Sequence, residues 1–195
     1  MEHPRRFQVE PPRRVLVVGN RGAGRARLGK QLAERFNLPF IQIEHEQQAF
    51  ANREPGKEPG AWRARVSELV ASDSWVMSGT DISTFDLRIP RADWFIWVDL
   101  PISSCAMAVI RSTLRGRAQA KTGAGGALPR WPKLSDIFHF PTDVAPRIMG
   151  TIDRERRNRT IFILRSRGDV VNFLARLPQA GGFGDHMNRD KKPPV

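Results

Sequence analysis

Two glycines and a basic residue near the start of the chain have the spacing of a phosphate-binding loop. Gly19 and Gly24 are separated by four residues and are followed by Arg25 and Ala26. The pattern strand, G-x-x-x-x-G-K-[ST], helix brings backbone N–H groups and a helix N-terminus together around an anion. Glycine suits both positions because the loop uses backbone angles that a side chain would block. The predicted nucleotide-binding residues are Gly19, Asn20, Arg21, Gly22, Ala23, Gly24, Arg25 and Ala26.

Two positions of this loop depart from the pattern. Arg25 stands where lysine is expected, and its planar guanidinium is longer and shaped differently from a compact ammonium. Ala26 stands where serine or threonine is expected, so a hydroxyl ligand for Mg²⁺ is missing. Loss of one well-placed charge-stabilising group lowers a rate by ~10²–10³. The sequence therefore predicts that anion binding survives better than phosphoryl transfer, and it leaves Mg²⁺ binding open.

Two other interpretations of the loop remain open. The glycines could form only a tight turn between a strand and a helix. They could also belong to a dinucleotide-binding fold, in which Glu44 would bind a ribose after the second strand. Against the latter, the glycine spacing is G-x-x-G-x-G, and the absence of tyrosine excludes reductases that need a catalytic Tyr.

Short apolar runs alternate with amphipathic stretches along the chain, which is typical of a parallel sheet with crossover helices. We expect an α/β P-loop NTPase fold of three layers, with a five-stranded parallel sheet and helices on both faces. The predicted strands are 15–18, 40–43, 75–77, 94–98 and 161–164. The predicted helices are 24–36, 61–71, 102–114 and a last one ending near residue 177.

Composition limits the alternatives. A chain of 195 residues suits one domain, which we place at 13–177 between disordered tails at 1–12 and 178–195. The basic, glycine-rich residues 116–132 are interpreted as a lid loop or an ordinary linker.

Composition also excludes several kinds of site. No apolar run is long enough to span a bilayer. Cys105 is the single cysteine, which excludes an internal disulfide and favours a reducing cytoplasm. The histidines have no metal-ligand spacing.

The net charge of +12 predicts attraction to phosphate groups. The phosphate could belong to a nucleotide, a nucleic acid or a lipid, and an arginine-biased composition alone could account for the charge. A nucleic-acid partner is left open, although no recognition-helix motif is present.

Several motifs together resemble a known family. They are the loop 19–26 and the segments 38–44, 75–80, 86–101, 110–117 and 161–173, of which 86–101 is the most distinctive. Across residues 14–177 the chain is similar to small bacterial P-loop kinases related to adenylate kinase, often labelled DNA topology modulation proteins. The resemblance implies a nucleoside-kinase-like fold, ATP or another nucleoside triphosphate as the donor, and an acceptor that the sequence does not identify.

The resemblance also implies roles for residues beyond the loop. Glu44 would lie near the acceptor, Arg88 would face it, and Asp99 would hold a metal-bound water. Each has a structural alternative: Arg88 could pair with Asp86 or Asp93 at the surface, and Asp99 could cap the next helix. Helical arginines would neutralise the transferring charge, or would form a solvated face. These arginines are Arg111, Arg115 and Arg117.

Overall fold

The computed structural model describes residues 11–53, 59–121, 135–155, 157 and 159–177. Their strands form one sheet of five parallel strands in the order β2-β3-β1-β4-β5. The predicted α/β P-loop fold with a five-stranded parallel sheet is confirmed. The strands are β1 (Arg14–Gly19), β2 (Phe40–Gln42), β3 (Trp75–Ser78), β4 (Trp94–Val98) and β5 (Thr160–Leu164).

Helices cover both faces of the sheet, so the central strands consist mainly of buried apolar residues. Val15 and Val17 of β1 face one core, and Leu16 and Val18 face the other; all four are fully buried. The first core is covered by α1, α5, α6 and α8, and the second by α2, α3, α4 and α7. The helices are α1 (Arg25–Phe36), α2 (Ile43–Arg53), α3 (Pro59–Ala71), α4 (Phe85–Arg88), α5 (Ile102–Lys121), α6 (Ser135–His139), α7 (Ala145–Glu155) and α8 (Arg167–Arg176).

The strand order determines where a ligand can bind. The chain leaves β1 through α1 toward one edge of the sheet, and β4 and β5 lie on the other side of β1. Parallel α/β sheets bind ligands outside the carboxyl ends of the strands at such a change of direction. Gly19 ends β1 at this point, so the predicted phosphate loop lies at the expected edge.

The structure differs from the sequence prediction at several boundaries, and it contains helices that the sequence did not predict, namely α2, α4, α6 and α7. The second strand ends at Gln42, and α2 begins at once with Ile43, so Glu44 is helical. Helix α5 continues to Lys121 and includes the first residues of the predicted loop 116–132. The rest of that loop and both predicted tails, apart from residues 11 and 12, lie outside the described residues. A π-helical turn (Phe140–Val144) connects α6 to α7, a region for which the sequence predicted no element. Within the described residues, no helix is both long and apolar enough to cross a membrane.

Candidate functional site

The loop between β1 and α1 turns through two left-handed glycines. Gly22 and Gly24 both have φ of 86°, which explains why glycine occupies these positions. Gly24 is also the N-cap residue of α1, and it provides no side chain to cap the helix. Among the described residues, the amides of Gly22, Gly24 and Arg25 have no hydrogen-bond acceptor. The amides of Gly24 and Arg25 belong to the helix start, where partial positive charge favours an anion, and Gly22 lies two residues before it.

A cleft of about 760 Å³ opens beside this loop. The loop and the start of α1 form one wall, β2 and α2 form a second, and α5 forms the third. Asn20 and Ala23 are buried and do not line the cleft. The side-chain amide of Asn20 points away from it and donates to the Ile137 carbonyl (2.9 Å). The lining residues are Arg21, Gly22, Gly24, Arg25, Ala26, Arg27, Gln42, Glu44, His45, Gln48, Ala108, Val109, Ser112 and Thr113.

Arg25 bends back across the base of the loop. Its Nη1 donates to the Gly19 carbonyl (3.0 Å), and its Nη2 forms an ion pair with Glu44 Oε1. The side chain is only 17% exposed. The longer reach of arginine allows both contacts from one side chain. The residue in the lysine position is therefore paired with a carboxylate in this structure.

Thr80 completes a closed set of contacts, which we call the Arg25–Glu44 ring: Gly19, Arg25, Glu44 and Thr80. The Thr80 hydroxyl donates to the Gly19 carbonyl (2.8 Å) and accepts from the Gly19 amide (3.1 Å). The Thr80 amide donates to Glu44 Oε1 (3.3 Å). No pattern in the sequence indicated a role for Thr80. Its position two residues after the end of β3 was the signal available, because neighbouring parallel strands end at the same edge.

Gly79 makes room for the carboxylate of this ring. A Cβ at Gly79 would lie 2.8 Å from Glu44 Oε2, and the residue has φ of 146°. Glu44 Oε2 is buried and has no hydrogen-bond partner among the described residues. The approach of Glu44 to the end of β3 therefore depends on glycine at position 79.

Arg88 is fully buried, which excludes the alternative of a surface ion pair. Its Nε donates to Thr84 Oγ1 (3.0 Å), Nη1 to the Gly79 carbonyl (2.9 Å) and Nη2 to the Asp81 carbonyl (2.5 Å). Burial lowers the pKa of Arg88 to about 10, against the nearby charges of Asp81 and Glu44. In this structure the guanidinium supports the loop after β3, and its predicted role toward an acceptor remains a prediction.

The two acidic partners considered for Arg88 bind other arginines. Asp86 pairs with Arg63, and Asp93 pairs with Arg14. Arginine is almost never fully buried, and the segment around Arg88 contains both polar and apolar residues. The sequence therefore did not indicate that Arg88 is buried.

Asp99 follows β4 and lies apart from the cleft. It lines a smaller cavity of about 350 Å³ together with Asn20 and Arg165. Burial raises the pKa of Asp99, and the charge of Arg165 opposes this only in part. Its side chain makes no capping hydrogen bond with the described residues of α5. The structure does not bring Asp99 to the cavity of Arg25 and Glu44, so its role in holding a metal water stays a prediction.

A second cavity of about 520 Å³ adjoins the cleft and shares Gly22, Gly24 and Arg27 with it. Arg111 and Arg115, the predicted charge-neutralising residues of α5, line this cavity and are exposed. Arg167 at the start of α8 also lines it, a residue that the sequence analysis did not select. Arg117 belongs to α5, but its side chain lies outside the described part of the structure.

Metal-binding side chains do not cluster here. Among the described residues, no group of three or more His, Cys, Asp and Glu side chains could hold a metal ion. The arrangement instead offers free amides and arginine side chains, which bind phosphate oxygens.

Comparisons with known proteins bear on the fold. No protein-family model matches the chain, and no curated protein matches it. The structure is similar to shikimate kinase from Acinetobacter baumannii in complex with shikimate, with a TM-score of 0.51, 16% identity, and coverage of 82% of this chain and 87% of that one. Two further structures have lower TM-scores. Shikimate kinase from Bacteroides thetaiotaomicron has a TM-score of 0.49 and 16% identity, with coverage of 85% of this chain and 95% of that one. A gluconokinase from Sinorhizobium meliloti 1021 has a TM-score of 0.45 and 17% identity, with coverage of 90% of this chain and 93% of that one. The prediction of a nucleic-acid partner gains no support from these neighbours. At this identity the likeness to shikimate kinase establishes the fold alone.

Proposed function

We propose that this chain binds a nucleoside triphosphate, with ATP as the first candidate, at residues 19–26. It would act as a P-loop protein related to adenylate and nucleoside kinases, with phosphoryl transfer weakened by Arg25 and Ala26. One observation carries the proposal: the amides of Gly22, Gly24 and Arg25 lack partners at the wall of an open cleft. Unpaired amides occur at every helix start, so the open cleft that this one faces is what favours an anion site over a simple tight turn.

The arginines of the second cavity support the same ligand. Arg111 and Arg115 of α5 lie across from the loop, beside a cavity that it also lines. Cations in this position neutralise the charge that develops when a phosphoryl group moves. The apolar side chains of Leu28 and Val170 line another part of the same cavity, and apolar contacts of this kind suit the base of a nucleotide.

A second candidate function is favoured by the contact between Arg25 and Glu44. In a kinase, the basic residue of the loop binds the donor phosphates and a carboxylate accepts a hydroxyl proton. Here the two groups neutralise each other. A non-catalytic binder of a nucleotide or another polyanion would use the same loop and would not need either group to be free.

The family relationship is part of the proposal. The likeness to kinases of small hydroxylated molecules fits the resemblance to small bacterial P-loop kinases labelled DNA topology modulation proteins. Shikimate is bound in the first of these neighbours, and no residue described here selects it. We therefore propose a phosphoryl acceptor carrying a hydroxyl group, near Glu44, without naming it.

Nitrogen-15 NMR of the full chain tests nucleotide binding directly. Addition of ATP should move the amide resonances of Gly22, Gly24 and Arg25 most, because their N–H groups would gain phosphate acceptors. The amide of Gly150 in α7, on the opposite face of the sheet, serves as the internal reference. Shifts confined to α7, or none at all, would disprove the proposed site.

Product formation separates the two candidate functions. Release of ADP is measured with a panel of nucleosides, nucleotides and hydroxy acids, for the natural chain and for Arg25→Lys/Ala26→Ser. A kinase should show slow turnover that rises by about 10²–10³ in the double variant. If ATP binds but neither protein forms product, the kinase is rejected and the binder is retained.

A further inference from the structure

The Mg²⁺ that usually accompanies a nucleotide in this fold has no fitting ligand set at this loop. Ala26 lacks the hydroxyl that would bind the ion. The Thr80 hydroxyl is bonded to both the amide and the carbonyl of Gly19. Mg²⁺ needs oxygen ligands in near-octahedral geometry and is reluctant to lose its waters. The side chains at the loop therefore do not replace what Ala26 has lost.

The carboxylate of Glu44, which lines the cleft, is already occupied by contacts within the protein. Glu44 Oε1 accepts from Arg25 and from the Thr80 amide, and Oε2 is enclosed where a Cβ of Gly79 would lie. Asp99, the acid predicted to hold a metal water, lines a different cavity. Neither acid presents a free oxygen to the cleft beside the loop.

Arginine side chains surround the position that a phosphate chain would occupy. Among the residues lining the cleft and the second cavity, Glu44 is the one carboxylate, and its charge is matched by Arg25. No carboxylate of the described residues pairs with the other arginines there. These arginines are Arg21, Arg27, Arg111, Arg115 and Arg167.

This charge distribution favours a highly anionic ligand. Guanidinium groups bind phosphate oxygens strongly and always carry a charge. A divalent cation bound to a triphosphate cancels part of its negative charge and occupies the oxygens that the arginines would bind. The cleft offers the ion neither a free carboxylate nor a hydroxyl on the loop, so these groups do not compensate for that loss.

We infer that this site takes the metal-free polyphosphate of a nucleotide, with arginine side chains in place of Mg²⁺. The arginines without a carboxylate partner supply the cations, whereas Arg25 stays paired with Glu44 at the base of the loop. The inference rests on the proposed function and makes it more specific: Mg²⁺ weakens binding here, whereas it strengthens binding where a loop hydroxyl is present.

Calorimetric titration of the full chain tests this. ATP is titrated in EDTA and then in excess MgCl₂, with ionic strength held constant by NaCl, and inorganic tripolyphosphate is titrated in the same way. We expect Mg²⁺ to weaken both affinities about tenfold, roughly the effect of losing one charge-assisted hydrogen bond. Tighter or unchanged ATP binding with Mg²⁺ overturns the inference and leaves the proposed function intact. No ATP binding in either buffer overturns both.

Two sets of variants identify the groups responsible. Arg25→Lys/Ala26→Ser restores the ammonium and the hydroxyl, so Mg²⁺ should then tighten ATP binding; continued weakening by Mg²⁺ would contradict the role given to these two positions.

A pair of single variants tests the arginines. Arg115→Gln should lower the affinity for metal-free ATP about tenfold. Arg147→Gln on α7 removes the same charge away from the cleft and should change the affinity less than about twofold at fixed salt. Equal losses in the two single variants would show that net charge, and not the cleft, binds the nucleotide. That comparison decides the question even if the double variant fails to fold.

Discussion

The ion pair between Arg25 and Glu44 joins the first turn of α1 to the first turn of α2. These helices follow β1 and β2, which are not neighbours, because β3 lies between them in the sheet. The contact therefore passes over the end of β3, where Thr80 hydrogen-bonds both Glu44 and Gly19. Three strand ends are thus connected by one ring of polar contacts, which links the phosphate loop to the start of α2.

Glu44→Gln tests the electrostatic consequence of this pair. Removing the carboxylate charge leaves Arg25 uncompensated, so we expect metal-free ATP to bind several-fold more tightly, by up to about tenfold. The same change should lower the free energy of unfolding by about 1 kcal/mol through loss of a charge-assisted hydrogen bond. Calorimetry and urea unfolding measure the two effects.

Glu155→Gln is the matched control for this prediction. Glu155 pairs with Arg159 at the end of α7, away from the cleft. Its loss should affect stability to a similar extent and leave ATP affinity unchanged. Weaker ATP binding in Glu44→Gln would show that the carboxylate assists the ligand, contrary to the expectation.

A pair of glycine variants isolates the backbone geometry of the loop. An added Cβ at Gly24 meets no atom within 4 Å, so Gly24→Ala is disfavoured by its φ of 86° alone. We expect a loss of about 1–2 kcal/mol in unfolding free energy and weaker ATP binding. Gly150→Ala also meets no atom but lies in helix α7, and it should stabilise the protein by about 0.5–1 kcal/mol. Thermal and urea unfolding should therefore give opposite signs for the same chemical change. A stable Gly24→Ala with full affinity would mean that the left-handed turn is not required.

The sequence predicted the elements whose signal is local. The apolar run of β4 is buried on both faces, and the glycine loop follows β1 as its spacing indicates. The contacts of the site depend on strand order, which no local pattern encodes. Thr80 lies 61 residues from Gly19 in the chain, yet its hydroxyl hydrogen-bonds both the amide and the carbonyl of Gly19. The burial of Arg88 was also missed, because the carbonyls that satisfy it are fixed only when the loop after β3 folds.

Arg88→Met tests that buried guanidinium. The variant leaves the Gly79 carbonyl without its side-chain donor. The Asp81 carbonyl and the Thr84 hydroxyl each lose one hydrogen bond, but Thr84 still donates to Asp81. Because an unsatisfied buried acceptor costs about 1–3 kcal/mol, we expect a total loss of about 2–3 kcal/mol. Urea unfolding measures it. Arg63→Met removes an exposed guanidinium that pairs with Asp86, and its effect should be far smaller. Similar losses in both variants would contradict the structural role of Arg88.

The loop supported by Arg88 should also respond to acid through Asp81. Burial alone would raise the pKa of Asp81, but hydrogen bonds from Ser83, Trp62 and Thr84 and the charge of Arg88 outweigh it and lower the pKa below 3.8. Asp81 therefore stabilises the folded state above its unfolded pKa, and this contribution is lost as the pH falls through the folded value. Urea unfolding at several pH values should show wild-type stability decreasing below about pH 4.

Asp81→Asn should remove that part of the acid dependence. At pH 7 the variant should be less stable, because an amide nitrogen cannot accept from Trp62 or Ser83 as the carboxylate oxygens do. The difference from the natural chain should shrink as the pH falls below about 4, since the wild-type carboxylate is then protonated too. Asp73→Asn, at an exposed carboxylate before β3, is the control and should follow the wild-type profile. A difference in unfolding free energy between Asp81→Asn and wild type that stayed constant from pH 7 to pH 2.5 would contradict the prediction. It would show that neither the hydrogen bonds of Asp81 nor the nearby charge of Arg88 stabilises the ionised carboxylate.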